Sequence, residues 1–195
     1  MSGWALVPVK ARAAGKSRLA AALDAEARTA LITAMLAHVL GELRRCPGLN
    51  GIAVMTPAQE SLPDGVLCLK DSAADFNESL CTAFAALAER GCRRVAVVAA
   101  DLPWLEAAEV TALLLAAEGA RIALAPDRHG TGTNALALAL PSRFRPRFGP
   151  GSLGRHLAEA AAVGVSAATV RLPGLAFDVD EPQDLALLRR GAVPP

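Results

Sequence analysis

Short apolar runs of strand length alternate with longer segments of helical periodicity from Trp4 almost to Arg190, and few folds accommodate that alternation. A strand, a helix and a further strand make a βαβ unit, and repeated units make a mainly parallel sheet with helices on both faces. The clearest strand is Arg94-Val95-Ala96-Val97-Val98-Ala99-Ala100, apolar after its first residue and stopped by Asp101. Such a run suits a central strand covered on both sides. Further strands are expected at 4–9, 51–55, 66–69, 121–125, 134–140 and 168–172.

The helices are read from spacing. Leu31, Ile32, Met35, Leu36, Val39, Leu40 and Leu43 recur at helical intervals, so one long helix starts near Asp24 and ends before Pro47-Gly48. Others are expected at 77–89, with Gly91 as its cap, and at 106–117, 153–163 and 182–190. The expected class is therefore a three-layer, Rossmann-like α/β fold. At 195 residues and 53% hydrophobic content, one domain spanning 1–195 is the natural reading.

Charge narrows the function. Twenty Lys and Arg against 19 Asp and Glu leave a formal charge of +1. No basic field exists to grip a nucleic-acid backbone, so nucleic acid is not an expected partner. No apolar run approaches the ~20 residues that span a bilayer, and the first residues carry no basic flank or small-residue cleavage pattern. A cytoplasmic protein with no membrane partner is expected. Cys46, Cys68, Cys81 and Cys92 form no C-x-x-C pair, and His38, His129 and His156 lack H-E-x-x-H spacing. The thiols are expected to be reduced, and any bound cation is expected on oxygen. Oligomeric state is not written in the sequence, and a homo-oligomer stays open.

Several residues can carry chemistry. Asp101 closes a buried strand, while Asp178 and Asp180 alternate in Phe177-Asp178-Val179-Asp180, so their carboxylates can face one point. Three such oxygens suit Mg²⁺, although each Asp alone reads more readily as a helix cap or turn former. Lys10, Arg12, Lys16 and Arg18 follow the first strand, and four cations with Gly15 between them suit a triphosphate or make a solvated basic turn. A P-loop is excluded, because the glycine it needs five residues before Gly15 is Lys10. Gly130-Thr131-Gly132-Thr133-Asn134-Ala135 has G-x-G-x-x-A spacing but precedes a strand, so it reads as an anion-binding loop rather than a dinucleotide fingerprint. Gly149-Pro150-Gly151-Ser152 opens a helix and offers a second anion site, with Ser152 as a cap and Arg155 and His156 on the first turn.

Taken together, Leu6-Val7-Pro8-Val9-Lys10, Lys16-Ser17-Arg18-Leu19, Asn77 with Leu80, Ala100-Asp101-Leu102-Pro103, Asp127 to Asn134, Phe148 to Ser152 and Asp178-Val179-Asp180 appear in the order of a known family. The chain resembles the 2-phospho-L-lactate guanylyltransferases of coenzyme F-420 biosynthesis, relatives of the molybdenum-cofactor nucleotidyltransferases. The resemblance implies a fold like that of the nucleotide-diphospho-sugar transferases (GT-A-like). It also implies GTP and a small phosphorylated acid as partners, with Mg²⁺ on Asp101, Asp178 and Asp180. Lys10, Lys16 and Arg18 are implied to be catalytic, and Pro8, Asn77, Leu102 and Pro103 to join them in holding the nucleotide. Thr133, Gly149 and Ser152 are implied to hold the acid.

That chemistry needs no general base, since a phosphate oxygen already ionised near neutral pH can attack the α-phosphorus of GTP. The acid itself stays open among 2-phospho-L-lactate, phosphoenolpyruvate and 3-phospho-D-glycerate. Two rival readings remain: a pterin or sugar-phosphate nucleotidyltransferase using CTP or ATP, and an inactive nucleotide-binding module.

Overall fold

The computed structural model describes residues 3–9, 16–57, 62–71 and 75–191. Seven strands, β1 (Gly3–Pro8), β2 (Gly51–Thr56), β3 (Val66–Lys70), β4 (Arg94–Val98), β5 (Ile122–Pro126), β6 (Thr133–Ala139) and β7 (Ala167–Thr169), form one sheet in the order β3-β2-β1-β4-β6-β5-β7. The helices are α1 (Ala25–Arg45), α2 (Phe76–Glu89), α3 (Ala107–Ala120), α4 (Ser152–Ala162), α5 (Pro173–Ala176) and α6 (Pro182–Arg190).

Alternation along each strand sorts the core into two layers. Ala5, Val7, Ala96 and Val98 face α1 and α3, meeting Val39, Leu40, Val110 and Leu113. Their neighbours Leu6, Val95 and Val97 face the other way, against Leu80, Phe84 and Leu87 of α2 and Leu153 of α4. Successive side chains of a strand point to opposite faces, so a continuously apolar strand fills both layers. Each fully buried Leu contributes roughly 1.5 to 3 kcal/mol to that burial.

One strand breaks the parallel pattern. β6 runs antiparallel to both β4 and β5, while the remaining pairs are parallel. The reason is the length of the connection: the turn from Asp127 to Gly132 is too short for a parallel crossover, which takes about a dozen residues. The reversal decides where the chemistry sits. It brings the start of β6 to the edge where β4 ends, with Val98 opposite Ala135 and the Ala99 amide donating to the Asn134 carbonyl at 2.9 Å.

Two short elements were not expected from periodicity: a 3-10 turn at Ser17–Ala21 and the single-turn α5, which begins on Pro173. Both are too short to display an apolar repeat. The 3-10 turn matters because its Leu19, fully buried, joins Met35, Phe177, Val179 and Leu185 in a third apolar cluster. That cluster anchors the segment carrying Asp178 and Asp180. Among the described residues, no helix is long and apolar enough to cross a membrane.

Candidate active site

A cleft of about 600 Å³ opens at the edge where β1 and β4 end and β6 begins. Its walls include Pro8, Lys16, Asp101, Asp178 and Asp180 on one side and Asn77, Thr133, Gly149 and Ser152 on the other.

The acidic side is fixed from below. Phe177 and Val179 are buried in the third cluster, so the residues alternating with them, Asp178 and Asp180, turn towards the cleft. The Val179 amide donates to the Asp101 carbonyl at 3.3 Å, tying the two acidic segments together. The fully buried Asp184 carboxylate accepts from the amides of Asp180 at 2.8 Å and Glu181 at 2.7 Å. Arg128 donates to the same carboxylate and to the Asp178 carbonyl, and its guanidinium lies 5.0 Å from the centre of the Phe177 ring. Asn134 completes the frame, donating to the Ala176 carbonyl at 3.1 Å and to Asp178 Oδ1 at 3.4 Å.

Charge at this end is concentrated. Burial, reinforced by the carboxylates of Asp101 and Asp180, pushes the Asp178 carboxyl up to about 6. Lys16 answers part of that charge: its ammonium donates to Asp101 and, at 2.6 Å, to Asp180 Oδ1. Burial works against the charged lysine, but the two carboxylates outweigh it and hold its pKa above the usual value. Lys16 also carries a left-handed backbone, φ 58°. That conformation costs a non-glycine residue roughly 1 to 2 kcal/mol, and the two charged contacts at the end of its side chain offset it.

The other side presents hydroxyls, with the carboxylates of Asp75 and Asp127 also in its wall and the Arg155 guanidinium beside Gly149. Thr133 and Ser152 are buried at 8% and 2% exposure, and Gly149, in the same cleft, has φ +119°. A Cβ at Gly149 would come within 2.9 Å of an Arg155 guanidinium nitrogen. The helix begins on Ser152 with Gly151 as its N-cap, so Ser152 is the first helical residue rather than the cap expected from sequence. The Leu153 amide donates to the Thr131 carbonyl at 3.1 Å, binding the start of α4 to the turn before β6. In that turn Asp127 accepts from the Thr131 amide at 2.9 Å and its hydroxyl at 3.4 Å. A Cβ at Gly132 would lie 2.6 Å from the Asp127 carboxylate, which would have to turn away from Thr131 to make room. The stretch read as an anion-binding loop is a turn closed on Asp127, and Asp127 and Gly132 line the cleft together with Thr133 just beyond them.

His156, one turn along α4, is fully buried and shares a 3.1 Å hydrogen bond between its Nδ1 and Thr133 Oγ1. Burial, with Arg155 and Arg147 nearby, lowers its pKa to about 4. It is a neutral imidazole at neutral pH.

Several expected contacts are placed differently. Asn77 lines the cleft, yet its amide is bound to the backbone of Phe148, accepting from the amide at 2.7 Å and donating to the carbonyl at 3.3 Å. Leu102 is fully buried in the core and is not part of the cleft wall, nor is Pro103. Arg18 is 73% exposed and lies 3.7 Å from Glu181, outside the wall. Lys10 and Arg12 fall outside the described residues. Among those described, no three His, Cys, Asp or Glu side chains stand close enough to hold a metal ion as they are. The donors at the acidic end are nevertheless the hard carboxylate oxygens that Mg²⁺ accepts, and their crowding marks a place where added positive charge is stabilising.

The sequence and the fold both have counterparts among known proteins. A model of CofC-like guanylyl transferases matches residues 4–190. The chain belongs to that family. Family relatives named phosphoenolpyruvate guanylyltransferase include one from Sphaerobacter thermophilus, 40% identical over 95% of this chain and 91% of its own. Another, from Conexibacter woesei, is 38% identical over 97% and 88%. Among solved structures, a putative nucleotide-diphospho-sugar transferase from Desulfovibrio desulfuricans superposes with a TM-score of 0.79 at 17% identity, covering 98% of this chain and 88% of that one. A 4-diphosphocytidyl-2C-methyl-D-erythritol synthase does so with 0.60 at 17%, covering 97% of each. The nucleotide-diphospho-sugar transferase fold expected from the sequence is the observed one.

The residues that sequence reasoning missed are those that hold others in place: Asp184, Arg128 and Asn134. Only Asp184 left a signal, as the third residue after Glu181 in a capping box that the structure confirms.

Proposed function

We propose that this CofC-like protein transfers GMP from GTP to a small phosphorylated carboxylic acid, releasing pyrophosphate, as a step towards the deazaflavin coenzyme F-420. Phosphoenolpyruvate is the acid of choice, because the relatives that match along most of both chains carry that substrate in their names. The observation that carries the reading is the division of one cleft into an end with Lys16, Asp101, Asp178 and Asp180, and an end where the hydroxyls of Thr133 and Ser152 stand near Gly149. A triphosphate with its counter-ions suits the first, and a compact anion at a helix N-terminus suits the second.

In the proposed reaction an oxygen of the acid's phosphate forms a bond to the α-phosphorus of GTP. The bond from that phosphorus to the β-phosphate breaks, and pyrophosphate leaves with the electron pair. The nucleophile is already ionised, so the protein's task is alignment and charge compensation. Asp101, Asp178 and Asp180 are the residues that would hold Mg²⁺, which when bound supplies positive charge to the triphosphate and the departing pyrophosphate. Lys16 exchanges its carboxylate partners for phosphate oxygens. Ser152 and Thr133 donate hydroxyl hydrogen bonds to the acid and hold its phosphate in line.

The test is to incubate the protein with each of phosphoenolpyruvate, 2-phospho-L-lactate and 3-phospho-D-glycerate, with GTP, ATP or CTP, with and without Mg²⁺, following pyrophosphate release. Rapid release with GTP, an acid and Mg²⁺ together is expected. Equal rates with ATP, or rates independent of any acid, would overturn the reading.

A further inference from the structure

His156 is an odd residue to bury completely. It is 0% exposed, its Nδ1 is 3.1 Å from Thr133 Oγ1, and its Nε2 is buried with no hydrogen-bond partner among the described residues. Its ring is packed by Phe148, with centroids 4.8 Å apart at 79°, and by Phe144 at 5.8 Å. A core position with aromatic neighbours is more cheaply filled by Leu or Phe, because an unpaired buried polar atom is destabilising. The residue gains one interaction from its polarity, the contact with Thr133.

The direction of that hydrogen bond follows from the orphaned nitrogen. If Nε2 carried the proton, a polarised N–H would be sealed among apolar groups with no acceptor, the rarest kind of unsatisfied group. If Nδ1 carries it, only a lone pair is left unpaired, and Nδ1–H donates to the Thr133 oxygen. With its oxygen already accepting, Thr133 keeps its own hydrogen free to donate. Thr133 lines the cleft, and Ser152, one turn before His156 on the same face of α4, lines it too.

We propose that His156 is a positioning residue for the acid substrate: as the Nδ1–H tautomer it holds the Thr133 hydroxyl with its hydrogen aimed into the cleft, ready for a carboxylate or phosphate oxygen. This rests on the functional reading above only for the identity of the anion. The imidazole stays neutral and touches no reacting atom. Its lowered pKa serves the arrangement, since a charged ring here would be unpaired at Nε2 and would face Arg155 and Arg147.

Two measurements test it. In histidine-labelled full-length protein, nitrogen NMR at neutral pH is expected to show His156 with a protonated Nδ1 and an unprotonated Nε2, and titration with phosphoenolpyruvate is expected to shift that Nδ1 resonance. An Nε2–H tautomer, or an Nδ1 signal indifferent to phosphoenolpyruvate, overturns the proposal. In steady-state kinetics, His156→Phe fills the space without a donor, whereas His156→Asn places an amide N–H near the old Nδ1. The first is expected to raise KM for phosphoenolpyruvate about tenfold, with KM for GTP within about twofold of wild type, and the second to recover most of the loss. Equal losses in both variants, or a loss in the GTP constant, overturn the proposal. If His156→Phe does not fold, the wild-type tautomer and titration decide alone. A wild type that releases no pyrophosphate from any acid would sink the functional reading without altering the tautomer result.

Discussion

The two ends of the cleft are held in opposite ways. At the acidic end, Asp101, Asp178 and Asp180 repel one another, Lys16 offsets part of the charge, and a half-buried Arg128 paired with the buried Asp184 fastens the backbone beneath. At the hydroxyl end, Ser152 and Thr133 are fixed by packing, by a helix start and by an uncharged imidazole. The comparison teaches that the first end carries unrelieved charge and is poised to exchange ion partners, whereas the second is complete in itself and presents donors. A charged, rearranging ligand belongs at the first and a small anion at the second.

The sharpest way to break that contrast is to neutralise the acidic end. Asp101→Asn is expected to lower kcat by a hundredfold or more, roughly the scale of losing one group that stabilises transition-state charge, while circular dichroism shows an intact fold. Near-normal turnover at limiting Mg²⁺ would remove the metal assignment. Removing the support beneath is expected to act on stability. Asp184→Ala leaves Arg128 without its carboxylate and should cost about 2 to 3 kcal/mol in urea unfolding, below the full cost of a broken buried pair because Arg128 keeps some solvent contact. A change under about 0.5 kcal/mol would mean the pair does not hold the segment.

The hydroxyl end makes its own pH prediction. The folded pKa of His156 lies near 4, below the unfolded value of 6.5, so protons bind the unfolded chain preferentially between those values. This group therefore adds nothing to the pH dependence above about 6.5, and stability is lost as pH falls towards 4, by about 2 to 3 kcal/mol. His156→Phe should flatten that part of the unfolding profile, and an unchanged slope would assign the acid sensitivity elsewhere.

Asn77 gives a smaller, diagnostic effect. Its amide holds Phe148, the residue before Gly149, so Asn77→Ala should raise KM for the acid about fivefold through a loosened loop, the loss of about one net hydrogen bond, and leave KM for GTP nearly unchanged. A rise in the GTP constant alone would restore Asn77 to the nucleotide, as the family resemblance implied.

These cases also show what a sequence can display. The strands and the long helices were legible because apolar period and turn residues are local signals; the boundary of β4 differed only in its last two residues, Ala99 and Ala100. The reversal of β6 was implicit in the short turn after Asp127. The single-turn α5 was not, since four residues show no period. At the site, Asp178 and Asp180 could be placed together because alternation is a property of the segment itself. Arg128 with Asp184, Asn134 with Asp178, and His156 with Thr133 are meetings between distant segments, and their residue types alone do not announce them. Asn77, which the resemblance assigns to the nucleotide, lines the cleft, but only the fold reveals that its amide is occupied by Phe148.

The division of the cleft is tested most directly by Ser152→Ala with each substrate varied in turn. Loss of one hydrogen bond to a charged acid should raise KM for phosphoenolpyruvate about tenfold and leave KM for GTP within about twofold of wild type. A raised GTP constant with an unchanged phosphoenolpyruvate constant would move Ser152 to the nucleotide and contradict the account.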